Sequence, residues 1–376
     1  VDVLRRIWAL TIKEFIHLIN DWWLPVFMLL GGAMELMLVG WATSRPITNL
    51  PLMVLDMDQS ATSRQVITSL ENSGTFSLEF IASSFDEIES AVERGEITAA
   101  VIFPQGFETE LYEIGGQPVL PVVLNGAESI PAREALRAVE GLARTLGEQV
   151  VIERLNLDIE AFAGFDLSLR VWYNQSLSEA LYSVPAELAL MLEFTVLLFA
   201  ALAFSREREL GTLEQLLVMP FSSLEIIIGK AIPVMIVGFA DFVLMLTMTH
   251  FFFNVPIRGS LALLLILASG YLVVELGKGM VISVMSRTQH QAFLLVMLIG
   301  MADFMFTGYA APVEAMPQVL QWVAKLVPAH HWLAIVRGIM LKGAGLDALW
   351  PNLLALAGLG LVIITFSLRY VRKALN

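Results

Sequence analysis

Of 376 residues, 57% are hydrophobic and 16% charged, with a mean hydropathy of +0.71; soluble domains of this size cannot hide so much apolar surface, so a chain that crosses a membrane several times is expected. The formal net charge of −13 sits entirely in residues 45–179, which hold 8 Lys/Arg against 21 Asp/Glu, while the rest is balanced. An acidic segment repels a phosphate backbone, which excludes nucleic acid as a partner, and the absence of cysteine excludes disulfides, thiolate metal sites and thiol catalysis.

Residues 1–21 come first. Leu4, Ile7, Trp8, Thr11, Ile12, Phe15 and Ile19 recur at helical spacing, while Arg5, Arg6, Lys13, Glu14 and His17 fall elsewhere. That pattern predicts an amphipathic helix lying on a membrane surface. A helix needs about 20 apolar residues, at about 1.5 Å each, to cross about 30 Å of hydrocarbon. The first such stretch is 22–43, which begins too deep and runs too long for a cleaved secretory signal. Residues 44–181 then alternate strand and helix signals. Strands are predicted at Leu52–Asp56, Phe76–Ile81, Ile97–Phe103 and Val119–Leu124. Helices are predicted at Ala61–Glu71, Asp86–Arg94, Phe107–Ile114 and, longest, Ala132–Leu155. That order gives a compact α/β domain, followed by coil from Asn156 back to the membrane. Five more spans follow at 182–204, 231–253, 261–284, 292–310 and 349–369. The fold class is therefore a polytopic α-helical membrane protein of six spans, with an α/β domain inserted between the first two. No internal repeat is visible.

Orientation follows from basic residues near the span ends. Arg5, Arg6, Lys13, Arg206, Arg208, Lys230, Arg287, Arg369, Arg372 and Lys373 share one side, and Arg258, Lys325, Arg337 and Lys342 the other. Both termini and the tail 370–376 are then cytoplasmic, and the acidic domain lies outside. Trp22, Trp23 and Trp172 suit interfacial positions.

The stretch 205–230 reads Ser205-Arg206-Glu207-Arg208-Glu209-Leu210-Gly211-Thr212-Leu213-Glu214-Gln215-Leu216-Leu217-Val218-Met219-Pro220 and continues to Lys230. It is a charged exit from a span, then a short amphipathic helix stopped by Pro220, then re-entry. Such a helix offers a polar face to a cytoplasmic partner; an ordinary charged loop is the alternative. The run resembles the E-(basic)-G-T coupling motif of ABC-2 type permeases, the membrane subunits of ABC exporters. Leu55-Asp56-Met57-Asp58-Gln59-Ser60, Val171-Trp172-Tyr173-Asn174, Ser286-Arg287-Thr288-Gln289, Ala315-Met316-Pro317 and Arg337–Gly343 agree with the large-insertion subfamily that includes bacterial multidrug-export permeases.

The resemblance implies a dimer of such subunits, homomeric or heteromeric, in a bacterial cytoplasmic membrane, each docked on a cytoplasmic ATPase that holds ATP and Mg²⁺. It implies coupling through Arg206, Glu207, Arg208, Glu209, Gly211, Thr212, Glu214, Gln215 and Pro220, with the Leu4–Ile19 helix completing the docking cleft. One departure is Leu210, where the family carries a basic residue; Arg208 is the candidate replacement. The resemblance also implies that 311–348, broken by Pro312, Pro317 and Pro328, forms a pair of outer helices re-entering the membrane above the translocation path. The outer domain would enlarge the exit path or recruit a periplasmic adaptor. The chain itself lacks the phosphate loop G-x-x-x-x-G-K-[ST]; Gly277-Lys278-Gly279 has neither the earlier glycine nor the hydroxyl.

Seven charged residues fall inside spans: Glu35, Glu187, Glu193, Asp241, Glu275, Lys278 and Asp303. Each costs about 2.5–3.5 kcal/mol near a helix centre on insertion scales, so none is expected to face lipid. Glu275 and Lys278, three apart, are read as an ion pair. Glu193, Asp241 and Asp303 have no evident local partner. They line a cavity for cationic or amphipathic substrates, or they hydrogen-bond across helices. His330-His331 lack the further ligands a zinc site needs and are read as packing. Asn174-Gln175-Ser176 is a formal glycosylation sequon of little weight in a bacterial chain. The expected function is a permease subunit of an ATP-driven exporter for hydrophobic or amphipathic molecules. Two other classes compete with it. A membrane-anchored interaction protein would bind its partner through the outer domain, and an intramembrane enzyme would need a nucleophile–base pair that spacing does not supply.

Overall fold

The computed structural model describes residues 2–44, 47–113, 116, 118–155, 172–174 and 178–375. The coil expected from Asn156, together with Val171, Gln175 and Ser176 of the motifs above, lies outside the described residues. The chain divides into a helical unit, Val1–Arg45 with Arg170–Asn376, and an inserted unit, Pro46–Leu169.

In the helical unit, α1 (Asp2–Asn20) precedes α2 (Trp23–Thr43). Among the described residues, six helices are long and apolar enough to cross a membrane. Besides α2 they are the helices here numbered α7 (Glu179–Glu209), α9 (Ser223–Phe251), α10 (Leu261–Met285), α11 (Gln289–Phe306) and α14 (Leu346–Leu375). Their starts follow from local capping chemistry. Ser260 and Thr288 each accept the amide three residues on, at 3.2 Å, to open α10 and α11. Ser222 opens α9 with a capping box, its own amide donating to Glu225 Oε2 at 2.6 Å. The bundle is built around α7: 78% of its apolar window is buried, against 17% for α14 and 22% for α2 and α11. Leu188, Leu192, Val196, Ala200 and Phe204 of α7 are fully buried and form the spine of the main core.

Gly279 lets α10 lie directly on that spine, since a Cβ there would stand 2.5 Å from Ala200 Cβ and 2.7 Å from the Leu197 carbonyl oxygen. Ser283, one turn on, adds a polar contact at the same seam: its Oγ accepts the Phe204 amide at 2.7 Å. Between α11 and α14 the segment expected as a helix pair holds a 3₁₀ turn (Val313–Ala315), α12 (Gln318–Ala324), α13 (Pro328–Arg337) and a π-helical segment (Gly338–Lys342). Pro317 and Pro328 open the two helices, where a missing N–H costs nothing. His331 is held by Asn352 Oδ1 and the Lys325 carbonyl oxygen at 3.0 and 2.9 Å, and His330 lies 3.2 Å from the Thr307 carbonyl oxygen, so both serve packing and helix ends.

The inserted unit is a four-stranded sheet ordered β2-β1-β3-β4. β1 (Leu50–Asp56) pairs in parallel with β2 (Phe76–Ile81) and β3 (Ala99–Phe103), and β4 (Val122–Leu124) is antiparallel to β3. The helices are α3 (Ala61–Asn72), α4 (Phe85–Glu93), α5 (Phe107–Tyr112) and α6 (Ser129–Leu155). Both faces of β1 and β3 are covered, which is why they read as unbroken apolar runs. Leu52, Val54, Val101 and Phe103 pack with Val66, Leu70 and Val139, while Met53, Leu55, Ala100 and Ile102 pack with Ile88 and Ala91. In such sheets ligands bind beyond the carboxyl ends of the strands where the order reverses, here β1 and β3. That crevice is filled by the chain itself. Asp58 accepts the Gly106 and Glu108 amides at 2.9 and 3.1 Å, and Glu108 Oε1 accepts the Thr62 hydroxyl at 2.6 Å.

Candidate functional site

At the end of α7 that carries Arg206–Glu209, Glu207 turns inward, Arg206 and Arg208 are half-buried, and Glu209 is exposed. The Glu207 side chain is 5% exposed and sits between two lysines. Lys13 of α1 donates to Glu207 Oε1 at 2.6 Å, and Lys230 of α9 reaches the same oxygen at 3.2 Å. Lys230, 1% exposed, also donates to Glu14 of α1 at 2.8 Å. The Thr212 hydroxyl donates to Glu207 Oε2, and its amide to the Glu207 carbonyl oxygen at 2.9 Å. Two cations and two carboxylates thus share one knot, buried except at Lys13, whose side chain is 37% exposed, and it fastens α1 across the start of α9 and the end of α7. Arg206 pairs with Asp21. Arg208, half-buried, donates to the carbonyls of Val284 and Ser286 at the end of α10. Glu209 caps α11 through the Gln289 amide at 2.8 Å.

What remains for a partner is the short helix and its flanks. Gly211 turns the chain with φ +71°, a conformation glycine adopts freely, into α8 (Leu213–Val218). Leu216 points inward and is buried. Leu210, Gly211, Glu214, Gln215, Val218, Met219 and Pro220 are exposed, and Arg6 of α1 braces this edge by donating to the Pro220 carbonyl oxygen at 2.9 Å. The stretch marked in the sequence thus holds two kinds of side chain, those tied inward to α1, α9 and α10 and those left exposed. Lys13, Glu14, Lys230 and Asp21 were missed as members. Their only signal was charge beside a membrane interface, which any positive-inside loop carries.

A second buried cluster lies farther along the same helix. Lys278 Nζ stands 2.8 Å from Glu193 Oε1 of α7, 2.7 Å from Glu275 Oε2 of its own helix and 2.8 Å from Asp303 Oδ2 of α11. The Tyr271 hydroxyl donates to Glu193 Oε2 at 3.3 Å, and its ring stacks on Trp332 of α13 with centroids 4.9 Å apart. Glu193 and Asp303, which lack partners within their own helices, thus share the lysine already assigned to Glu275. Asp241 does not join them. It is fully buried, and its Oδ2 accepts the Thr195 hydroxyl at 2.7 Å, a cross-helix hydrogen bond from α9 to α7.

A family model described as ABC-2 family transporter protein matches residues 22–369, which takes in all six spans and the inserted unit. The chain is 29% identical over 349 residues to the probable multidrug ABC transporter permease YbhR of Escherichia coli strain K12, covering 93% of each chain. It is 26% identical over 378 residues to the inner membrane transport permease YhhJ of the same strain, covering 99% of this chain and 98% of that one. It is 22% identical over 347 residues to ABC transporter G family member 20 of Dictyostelium discoideum, covering 89% of this chain but 46% of that protein. The chain belongs to the ABC-2 transporter family, as a membrane-spanning permease.

Proposed function

We propose that the chain is the permease subunit of an ATP-driven exporter, working as a pair of permeases that move a hydrophobic or amphipathic molecule outward across a bacterial inner membrane. In this reading ATP and Mg²⁺ are bound by a separate cytoplasmic ATPase. The edge formed by Leu210, Gly211, Glu214, Gln215, Val218, Met219 and Pro220 is the surface it docks on. Both termini are then cytoplasmic, and the inserted unit is extracytoplasmic, where it widens the exit path or meets an adaptor protein.

The observation that carries the reading is the Glu207 knot. A docking edge can drive spans only if it is stiffly joined to them. Here the loop is tied to α9 by a buried ion pair and to α1 by a half-buried one, and it continues directly into α7, whose apolar window is the most buried of the six. A push on α8 is thus delivered to the helix that contacts most of the others. The ammonium–carboxylate cluster at Glu193 lies on that same helix. The multidrug wording in the relatives' names agrees with an amphipathic substrate.

The test is affinity purification from native membranes, with wild type compared against a Val218→Glu, Met219→Glu double variant. Both side chains are at least half exposed, at 86% and 50%, so the change spares the fold. Wild type is expected to retain an ATP-hydrolysing polypeptide that the variant loses. Equal retention would move the docking surface elsewhere, and no ATPase with either protein would overturn the reading.

A further inference from the structure

The last residues of α7, Phe204 to Glu209, carry polar contacts on two opposite faces. At about 100° per residue, Phe204, Ser205, Arg208 and Glu209 share one side of the helix, and Arg206 and Glu207 the other. Arg206 pairs with Asp21, and Glu207 with Lys13 and Lys230, so that side holds α1 and α9.

The first side holds the turn between α10 and α11. Ser283 Oγ accepts the Phe204 amide at 2.7 Å and the Ser205 amide at 3.2 Å, and all three residues are fully buried. Arg208 Nη1 donates to the carbonyl oxygens of Val284, at 3.0 Å, and of Ser286. These lie at the end of α10, where no intrahelical amide remains to meet them. Glu209 Oε2 accepts the Gln289 amide at 2.8 Å, the first of α11 and likewise without a partner inside its helix. The charges also suit the helix dipoles, a cation at the C-terminus of α10 and an anion at the N-terminus of α11. One residue could not serve both ends, since the turn shows carbonyls on one flank and an amide on the other. Adjacent side chains of opposite charge meet both.

We propose that Arg208 and Glu209 are positioning residues that clamp the α10–α11 turn to the end of α7, an inference that rests on the exporter reading above. A push on the docking edge then moves the start of α11 and the end of α10 as one piece with α1 and α9. Glu207 ties in the helices that flank the loop, and the Arg208–Glu209 pair ties in the next two spans.

The chain has no cysteine, so introduced cysteines can carry paired spin labels without background. Distances are measured in the permease–ATPase complex in lipid nanodiscs, without nucleotide and with ATP trapped by vanadate. Ile16 on α1 and His290 on α11 are exposed labelling positions, and Leu361 on α14 is the reference. The Ile16–Leu361 distance is expected to shift on trapping, while the Ile16–His290 distance stays fixed. In an Arg208→Met, Glu209→Ala double variant the Ile16–Leu361 shift is expected to persist and the Ile16–His290 distance to shift as well, because the turn is left behind. Arg208→Lys with Glu209→Gln keeps a donor and an acceptor in place and is expected to restore the fixed distance, which a loss of packing alone would not predict. Should the first variant fail to assemble, Glu209→Ala, which removes one exposed contact, carries the test. An Ile16–His290 distance that shifts in the protein with both residues intact, or stays fixed without them, would overturn the clamp and leave the exporter standing. No Ile16–Leu361 shift in any of the proteins would end the exporter reading and the clamp with it.

Discussion

Glu207 and Glu193 lie on one helix, fourteen residues and therefore about 21 Å apart, and each is buried beside lysine. Around Glu207, two lysines meet two carboxylates, and a threonine hydroxyl completes the set. Around Glu193, one lysine meets three carboxylates. A balanced knot gains from staying closed, since opening it would strand charges of both signs away from water. The other sets three carboxylates around one ammonium, so a proton shared between carboxyl groups has to complete its balance. The contrast separates a set of charges that balances through its own side chains from one that does not.

The largest effect that would sharpen this contrast is on stability. Glu207→Gln leaves Lys230, 1% exposed, with Glu14 alone, and breaking a buried pair in this way costs about 3–5 kcal/mol. Asp303→Asn removes surplus charge and is expected to cost under about 1 kcal/mol, or to stabilise, because the mean single-site penalty is about that size before the relief is counted. Thermal midpoints of the two purified variants decide it. Equal losses would mean that both clusters are plain fastenings.

An intermediate effect tests the link between them. Gly279→Val places side-chain atoms against the Leu197 carbonyl, which belongs to the backbone of α7 and cannot swing aside. Overpacking of this kind costs about 1–3 kcal/mol. If α7 carries motion from the docking edge to the other spans, the variant should still retain its ATPase partner while ATP hydrolysis by the purified complex falls. Undiminished hydrolysis would break the idea of α7 as the connecting rod.

The six spans were legible in the sequence because each is an apolar run, and the inserted sheet because β1 and β3 are apolar on both faces. Where boundaries shifted, chemistry accounts for it. The strand expected from Val119 starts only at Val122, since Pro121 brings no N–H to a ladder. The second span extends to Glu209 because Arg206, Glu207 and Arg208 satisfy their charges within the protein and need not leave the helix. Glu275–Lys278 could be read from spacing, being one helical turn apart. The pairing of Lys278 with Glu193 and Asp303 spans 85 and 25 residues, and that of Lys13 with Glu207 spans 194, so no local pattern announces them. The same distance kept the inward turn of Arg208 hidden. Its partners are carbonyl oxygens of α10, and every sequence supplies those at every position.

The smallest effect uses a carboxylate with no cation at all as the reference for both clusters. Asp58, in the inserted unit, is held below the usual carboxylate range chiefly by the Ser60 hydroxyl; burial opposes this, and the amides of Glu108, Gly106 and Phe107 add to the lowering. With the folded value lowered, its contribution to stability is complete above the unfolded value of about 3.9 and is lost as pH falls through the lower folded value. Asp58→Asn keeps the shape and discards the charge. In the full chain, hydrogen exchange of the Gly106 and Glu108 amides should be faster in the variant at neutral pH, and the difference should shrink below about pH 4. A difference that stayed constant across that range would mean that shape alone holds α5 against β1.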